Sequence, residues 1–172
     1  TVSVGTFSTM STDKCLSMYS STSGDAYAIL PGIDNSVMMN NLQIRFKMLK
    51  TSAAYGHLEV GIMDDPRDIS TFTPIKTFDG SHLQGTNTWY DFIVYLNHYE
   101  GEGHFIAFRS PSDYTNYVYI DDIIVNTMAG CGTPSDFVVE RTTGSAAQLS
   151  WRASELESDN TQYPIEYSIQ GD

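Results

Sequence analysis

Two adjacent aspartates, Asp121 and Asp122, interrupt the most β-prone stretch of the chain, which reads N-Y-V-Y-I-D-D-I-I-V-N over residues 116–126. Successive side chains of a strand point to opposite faces, so Val118, Ile120 and Asp122 are predicted to share one face. If that face lies in the core, the Asp122 carboxylate is costly unless it is hydrogen-bonded, paired or bound to a cation. Because the two aspartates are predicted to point opposite ways, they do not form an acid–base pair.

Calcium binding is one chemistry that would explain an inward Asp122. Calcium takes about six to eight oxygen ligands from carboxylates, carbonyls and water. Backbone carbonyls, with Asp25 or Asp34 from the early loops, are candidates to complete the set. The alternative is that backbone N–H groups of a neighbouring loop satisfy Asp122, as is usual for buried polar groups. On this argument the predicted metal ligands are Asp122 with Asp25 or Asp34.

Tyrosines beside polar residues indicate a second chemistry, the binding of a glycan. Sugar rings pack against exposed aromatic rings, and polar groups beside those rings form hydrogen bonds with the sugar hydroxyls. The best cluster lies on and before the same strand and consists of Tyr114, Tyr117, Tyr119, Asp113 and Asn116. Tyr55 with His57 is a second possibility. The alternative is that the tyrosines cover the outer face of a sheet and expose only their hydroxyls.

No catalytic pattern is present in the sequence, so we expect a protein that is not an enzyme. The four histidines lack a metal-ligand spacing such as H-E-x-x-H. A G-x-S-x-G elbow is missing, and so is an E-x-D-x-x-E run that would place two carboxylates on one face. The loop D-D-P-R-D at residues 64–68 lacks the glycine and closing glutamate of an EF-hand. We interpret it as a turn organised by Asp68 and Ser70, with a second cation site as the alternative.

The charge and composition of the chain limit the kinds of partner that it can bind. The 172 residues carry a formal net charge of −12, and the pI is about 4.4. Such a charge repels phosphate backbones, so nucleic acid is excluded as a partner, whereas divalent cations or neutral glycans are compatible. No apolar run has the length of a membrane span, so no membrane insertion is expected. Thr1 is not a natural start, so we expect a mature or excised piece of a larger protein. Cys15 and Cys131 are either one disulfide or two thiols.

Short alternating runs at regular spacing predict an all-β fold of two antiparallel sheets. Residues 42–49 alternate Leu-Gln-Ile-Arg-Phe-Lys-Met-Leu, the pattern of a half-buried strand, and residues 58–63 repeat it. No stretch has a helical period, which favours a β-sandwich. After residue 128 the composition changes. Residues 129–134 are mostly small, include two glycines and end in a proline, so we interpret them as a linker. Residues 135–172 then carry a second strand series, at 137–140, 146–151 and 162–169, that is too short to close a sandwich of its own. Either the chain ends inside that domain, or this segment packs against the first domain or another molecule.

Three blocks occur in a fixed order along the chain: L-E-V-G-I-M-D-D-P-R-D-I-S-T-F-T-P-I, then W-Y-D-F-I-V-Y-L-N-H-Y-E-G-E-G-H-F-I-A-F-R, then Y-V-Y-I-D-D-I-I-V. Together these blocks resemble the cleaved adhesin domains of gingipain haemagglutinin regions and other secreted Bacteroidetes proteins. The early A-Y-A-I-L-P-G-I-D fits the same pattern, so the resemblance covers about residues 14–126. A later run, C-G-T-P-S-D-F-V-V followed by A-A-Q-L-S-W and I-E-Y, resembles the first half of a fibronectin type III domain.

The resemblance implies a two-sheet jelly roll like those of MAM domains and carbohydrate-binding modules, with structural calcium held partly by Asp121 or Asp122. It implies a secreted or cell-surface module that binds a glycan or a host surface protein, beside other domains of the same parent chain. The alternative is a spacer or accessory module with no ligand of its own. One departure is that residues 1–12 lack the acidic residue and tryptophan with which family members usually begin.

Overall fold

The computed structural model describes residues 2–6, 14–113, 115–128, 135–143 and 146–152. The chain divides into two compact units, Thr1–Thr127 and Met128–Asp172. The first unit contains nearly all of the described strands and is built as two antiparallel sheets. Three short 3₁₀ turns, Met39–Asn41, Ile69–Thr71 and Gly80–His82, connect its strands. Within the described residues, no helix has the length and apolarity needed to cross a bilayer.

The first sheet has five strands in the order β1-β2-β9-β4-β7, and the second has four in the order β3-β8-β5-β6. All neighbouring pairs in both sheets are antiparallel. The strands are β1 (Val2–Thr6), β2 (Lys14–Ser20), β3 (Ala26–Ile29), β4 (Leu42–Leu49), β5 (Leu58–Met63), β6 (Thr73–Phe78), β7 (Tyr90–Tyr95), β8 (Phe105–Ser110) and β9 (Asn116–Thr127). The predicted all-β jelly-roll sandwich is confirmed.

Alternation places the core between the two sheets. Along β4, alternate residues from Leu42 to Met48 are buried, and the residues between them are half-buried or exposed. Leu49, the last residue of the strand, is buried as well. The inward side chains of the opposite sheet complete the core. These include Leu58, Val60, Ile62, Ile106 and Phe108, all fully buried. Burial of such side chains contributes about 1.5–3 kcal/mol each, so the two inner faces supply most of the stability of this unit.

Strand β9 contains a bulge that corrects the predicted orientation of Asp122. Lys47 of β4 pairs with Asp121, but Arg45 pairs with Ile124, so one more residue lies on β9 than on β4 between these pairs. Asp122 has a φ of 50° there, and its side chain is 60% exposed. The extra residue shifts the alternation by one, so that Ile123, not Asp122, packs against the core. The expectation of an inward Asp122 is wrong.

The second unit contains the antiparallel pair β10 (Ser135–Thr143) and β11 (Ala146–Arg152). Both strands lie where the sequence predicted strands of the second series. The third predicted strand of that series, at 162–169, lies outside the described residues, as do the predicted linker 129–134 and Cys131. Cys15 is buried in the first unit. The two alternatives for Cys15 and Cys131, a disulfide or two thiols, both stay open, and the fibronectin type III-like resemblance stays a prediction.

Candidate ligand-binding face

Four tyrosines lie together on the outer face of the five-stranded sheet, and we call Tyr19, Tyr55, Tyr117 and Tyr119 the tyrosine face. Met18 and Val118 point into the core, so their neighbours Tyr19 and Tyr117 point outward. These two tyrosines are direct partners in the β2–β9 pairing. Their ring centroids are 4.7 Å apart, within the range of favourable aromatic contacts.

The other rings extend this pair along β9 and into the loop before β5. Tyr119 lies two residues beyond Tyr117, and their rings are stacked at 6.3 Å with an interplanar angle of 16°. Tyr55 approaches Tyr117 from the loop, with centroids 6.1 Å apart. All four side chains are half-buried, so each offers part of a ring to solvent. Burial, and to a lesser extent the neighbouring Tyr117, raises the pKa of Tyr119, which keeps its hydroxyl protonated at neutral pH.

Asn116 holds the Tyr55 loop in place and corrects another prediction. Its side-chain oxygen accepts hydrogen bonds from the backbone N–H groups of Gly56 at 2.9 Å and His57 at 3.2 Å. Its amide group donates to the His57 carbonyl and to the Ser110 hydroxyl, both at 2.7 Å. Asn116 is 0% exposed, so it cannot contact a ligand as predicted. It is instead the anchor that positions Tyr55.

A buried lysine fixes the same loop from its other side. Lys50 is 6% exposed, and its ammonium donates to the carbonyl oxygen of Gly80 at 2.6 Å. A Cβ at Gly80 would lie 2.9 Å from the carbonyl oxygen of Tyr55, so only glycine permits this approach. Gly56 has a φ of 104°, a conformation that favours glycine, and lets the chain turn directly after Tyr55. The loop that carries Tyr55 is therefore held in one backbone conformation by these contacts.

A groove of about 240 Å³ adjoins the tyrosine face at the turn between β2 and β3. Its lining consists of Tyr19, Ser21, Ser23, Gly24 and Asp25. A bridge between Ser21 and Gly24 closes the turn. Gly24 has a φ of 148°, in the region where glycine is favoured. Tyr19 belongs both to the groove and to the tyrosine face, so the two surfaces are continuous.

Asp25 is fixed in this groove by donors from three directions. Arg109 Nε donates to its carboxylate at 2.7 Å, the Ser112 N–H donates at 2.7 Å, and the Tyr27 hydroxyl donates at 3.3 Å. Arg109 also bonds Glu59 at 2.9 Å. Burial alone would raise the pKa of Asp25, but the hydrogen bonds from Ser112 and Arg109 outweigh it and hold the pKa below its usual value. The carboxylate is thus ionised and rigid.

The four carboxylates predicted to bind calcium are not assembled into one site. Asp25 lies near the start of β9, because Ser112 just before that strand donates to it. Asp34 lies in the turn after β3, where a backbone N–H two residues on donates to it at 2.8 Å. Asp121 and Asp122 are adjacent, and a rise of about 3.3 Å per residue puts them roughly 20 Å along β9 from its start. Among the described residues, no three histidine, cysteine, aspartate or glutamate side chains are grouped to hold a metal.

The bulge residues have partners of their own. The Asp122 carboxylate pairs with the Lys47 ammonium at 2.7 Å on the outer face of the sheet. The Asp121 carboxylate accepts a hydrogen bond from the backbone N–H of Asp122 at 2.9 Å. This hydrogen bond and the ion pair both stabilise the bulge, in which Asp122 takes the left-handed conformation that aspartate tolerates better than most residues. Both groups remain accessible from solvent.

The predicted glycan cluster is recovered in part. Tyr117 and Tyr119 face outward as the alternation required, and Asp113 is exposed in the turn before β9. Tyr114 lies outside the described residues. Tyr19 was not singled out from the sequence, because its place beside Tyr117 depends on a strand pairing across about a hundred residues. The turn interpretation of the D-D-P-R-D loop is confirmed, since Asp68 caps the following 3₁₀ turn by accepting from the Ser70 N–H at 2.9 Å.

The fold defines this unit as a jelly-roll β-sandwich module with an aromatic outer face. The chain is similar to the K1 cleaved adhesin domain of Lys-gingipain from Porphyromonas gingivalis W83. The TM-score is 0.52 at 20% identity, over 73% of this chain and 83% of that one. A family 30 carbohydrate-binding module is similar with a TM-score of 0.52 at 16% identity, over 77% of both chains. The family 30 carbohydrate-binding module of a Clostridium thermocellum cellulosomal cellulase is similar with a TM-score of 0.50 at 16% identity, over 74% of this chain and 82% of that one.

At such identities these likenesses establish the fold alone. The predicted resemblance to cleaved adhesin domains is confirmed at that level, while the fibronectin type III-like part is not shown by these matches. No protein-family model matches the sequence, and no curated protein matches it.

Proposed function

We propose that the chain is a non-catalytic carbohydrate-binding or adhesion module of a secreted or cell-surface protein, and that the tyrosine face is its binding surface. The observation that carries this proposal is the clustering of four half-buried tyrosines on the outer face of one sheet. Rigid aromatic rings with hydroxyl tips offer apolar surface and hydrogen bonds together, at a small entropic cost. A sugar presents the same two kinds of surface.

The charge of the chain favours a neutral glycan. A net charge of −12 repels uronic and sialic acids as it repels phosphates. Two cationic side chains close to these surfaces are already paired, Lys47 with Asp122 and Arg109 with Asp25. The binding energy must then come from ring contacts and neutral hydrogen bonds, which do not depend strongly on salt.

The test is a glycan array of neutral and acidic classes, followed by calorimetric titration of variants. Tyr117→Ala removes the central ring, and we expect binding to weaken about tenfold or more, as for other aromatic anchors. Tyr117→Phe keeps the ring and should retain most of the affinity. Tyr95→Ala is the matched control, because Tyr95 also faces outward but lies on β7 at the far edge of the sheet. A flat array across all classes would contradict glycan binding and favour a spacer module without a ligand.

Calcium stabilisation is a second proposal, and it rests now on Asp121 and Asp122. The observation that supports it is that the bulge presents both carboxylates at the surface of one strand. Calcium would compete with Lys47 for the Asp122 carboxylate, so the expected effect is a chelator-dependent fall in melting temperature. Asp122→Asn should remove that response, whereas Asp34→Asn should keep it. A melting curve that does not change with chelator would exclude the site.

A further inference from the structure

The groove between β2 and β3 combines three surfaces that together suit a sugar ring. Tyr19 supplies an aromatic wall that continues from Tyr117. Ser21 and Ser23 supply two hydroxyls, and Asp25 supplies a carboxylate that is 18% exposed. A carboxylate oxygen accepts about two hydrogen bonds, and sugar hydroxyls are donors. Oδ2 of Asp25 already accepts from Arg109 and Tyr27, so Oδ1 is the oxygen placed to accept from a sugar. Sites that recognise an uncharged polar ligand need such fixed acceptors beside an apolar surface.

The size of the groove limits what it can hold. A volume of about 240 Å³ is smaller than the roughly 300–1,000 Å³ of pockets that enclose a whole small-molecule ligand. It therefore fits one sugar unit, with the remainder of a longer glycan lying outside it. Since Tyr19 belongs to both surfaces, that remainder would continue across Tyr117 toward Tyr119. The groove is open at the turn, where a Cβ on Gly24 would meet no atom within 4 Å.

Asp25 has the rigidity that a specificity-determining acceptor requires. Arg109, Ser112 and Tyr27, which do not line the groove, hold its carboxylate, so a ligand that binds Asp25 does not have to order this side chain. The carboxylate belongs to an ionic cluster with one guanidinium and two carboxylates, those of Asp25 and Glu59. That cluster carries a net negative charge, which disfavours an acidic sugar at this position.

We propose that this groove is a subsite that binds one neutral sugar residue of a glycan, with Asp25 accepting a hydrogen bond from one of its hydroxyls. The proposal rests on the function proposed for the tyrosine face, and it extends that binding surface by a polar subsite at one end. It also gives Asp25 a role different from the calcium ligand predicted from sequence. The consequence is a preference for glycans whose ring hydroxyls are free and uncharged at the residue that enters the groove.

The experiment titrates the full chain and its variants with four probes: cellohexaose, xylohexaose, mannohexaose and hexagalacturonate. Asp25→Asn keeps the shape of the side chain but loses the charged acceptor, and we expect about tenfold weaker binding of the neutral probes. Ser23→Trp fills the groove from an exposed turn position and should weaken binding by at least as much. Glu59→Gln is the matched control. It removes the other carboxylate bound to Arg109 but does not line the groove, so its affinity should stay within about twofold of the original chain. Melting curves show whether each variant folds.

The outcomes separate this proposal from the one on which it rests. If Tyr117→Ala loses binding while Asp25→Asn and Ser23→Trp bind as the original chain does, the tyrosine face is the site and the groove is not. If Asp25→Asn and Glu59→Gln weaken binding equally, Asp25 acts only through the stability of the ionic cluster, and the proposed contact is wrong. Tighter binding of hexagalacturonate than of the neutral probes overturns the preference for uncharged sugars. If the original chain binds none of the four, the subsite proposal is wrong, whereas the proposal for the tyrosine face falls only if the glycan array is flat as well.

Discussion

Replacing Asn116 by alanine tests whether one buried amide fixes the loop that carries Tyr55. The side chain makes four hydrogen bonds, to Gly56, His57 twice, and Ser110. The bonds to Gly56 and Ser110 are buried, and those to His57 are partly buried. Asn116→Ala leaves these partners behind, and the lost bonds cannot form elsewhere without moving the loop.

The magnitude follows from counting the groups left without a partner. Each buried donor or acceptor left unsatisfied costs about 1–3 kcal/mol, and water can replace the bonds that are only partly buried. The Ser110 hydroxyl keeps its hydrogen bond with the Ser20 hydroxyl at 2.8 Å, so the Gly56 N–H is the buried group left without a partner. We therefore expect a fall of about 1–3 kcal/mol in the free energy of unfolding. A further effect is expected on binding, because Tyr55 would no longer be held beside Tyr117.

Urea denaturation measures this change. Fluorescence of Trp89 in a Trp151→Phe background reports on the first unit alone, since these are the two tryptophans of the chain. Asn126→Ala is the control, because Asn126 is an exposed asparagine on the same strand. A loss below about 1 kcal/mol for Asn116→Ala, with an unchanged m-value, would refute the anchoring role.

Three further predictions concern single positions. Hydrogen bonds from the Ser81 hydroxyl and N–H lower the pKa of Asp79 to about 2. Because this folded-state pKa lies below the unfolded value, the stabilisation is present above about pH 4 and is lost as the pH falls toward 2, so Asp79→Asn should flatten the pH dependence of stability in that range. In Gly61→Ala the new Cβ would collide with a carbonyl oxygen of β6. That variant should unfold at lower urea than Gly85→Ala, whose nearest neighbour is a tyrosine hydroxyl at 3.2 Å. Asp122→Gly and Asp122→Ala both lose the ion pair, and glycine should be more stable by about 1 kcal/mol because the φ is 50°; equal stabilities would argue against the left-handed conformation.

The sequence predicts the elements whose burial follows a simple period. The sequence predicts β4 and β5 with the bounds that the structure shows, because apolar residues recur at every second position from Leu42 to Met48 and from Leu58 to Ile62, and these residues are buried. The outward direction of Tyr117 and Tyr119 follows from the same rule. What the pattern could not show is the bulge after Asp121, since an extra residue on one strand has no counterpart in local composition. The only local sign was an aspartate, a residue that tolerates positive φ.

Long-range partners explain the other differences. Asn116 has the composition of a ligand contact, a polar residue beside tyrosines, but its partners lie in a loop about sixty residues earlier in the chain. Asp25 has the composition of a calcium ligand, yet Arg109 and Ser112 reach it through the β3–β8 pairing and the turn that follows β8. A polar side chain in a β-sandwich takes its role from the residue across the fold, and a single sequence does not contain that pairing.

The bulge also decides where the candidate binding surface ends. Before it, the outward positions of β9 are Tyr117, Tyr119 and Asp121, and this half of the strand pairs with β2. Beyond it, β9 pairs with β4 and no longer with β2. The outward side chains of this half are not aromatic, and they include Ile124, which is 54% exposed, and Asn126. The aromatic surface is therefore confined to the half of β9 that adjoins β2, and the groove lies directly after β2. A glycan on this surface would run from Tyr119 toward the β2–β3 turn and would not cross the whole sheet, which is why a polar subsite at that turn determines which sugar can end there.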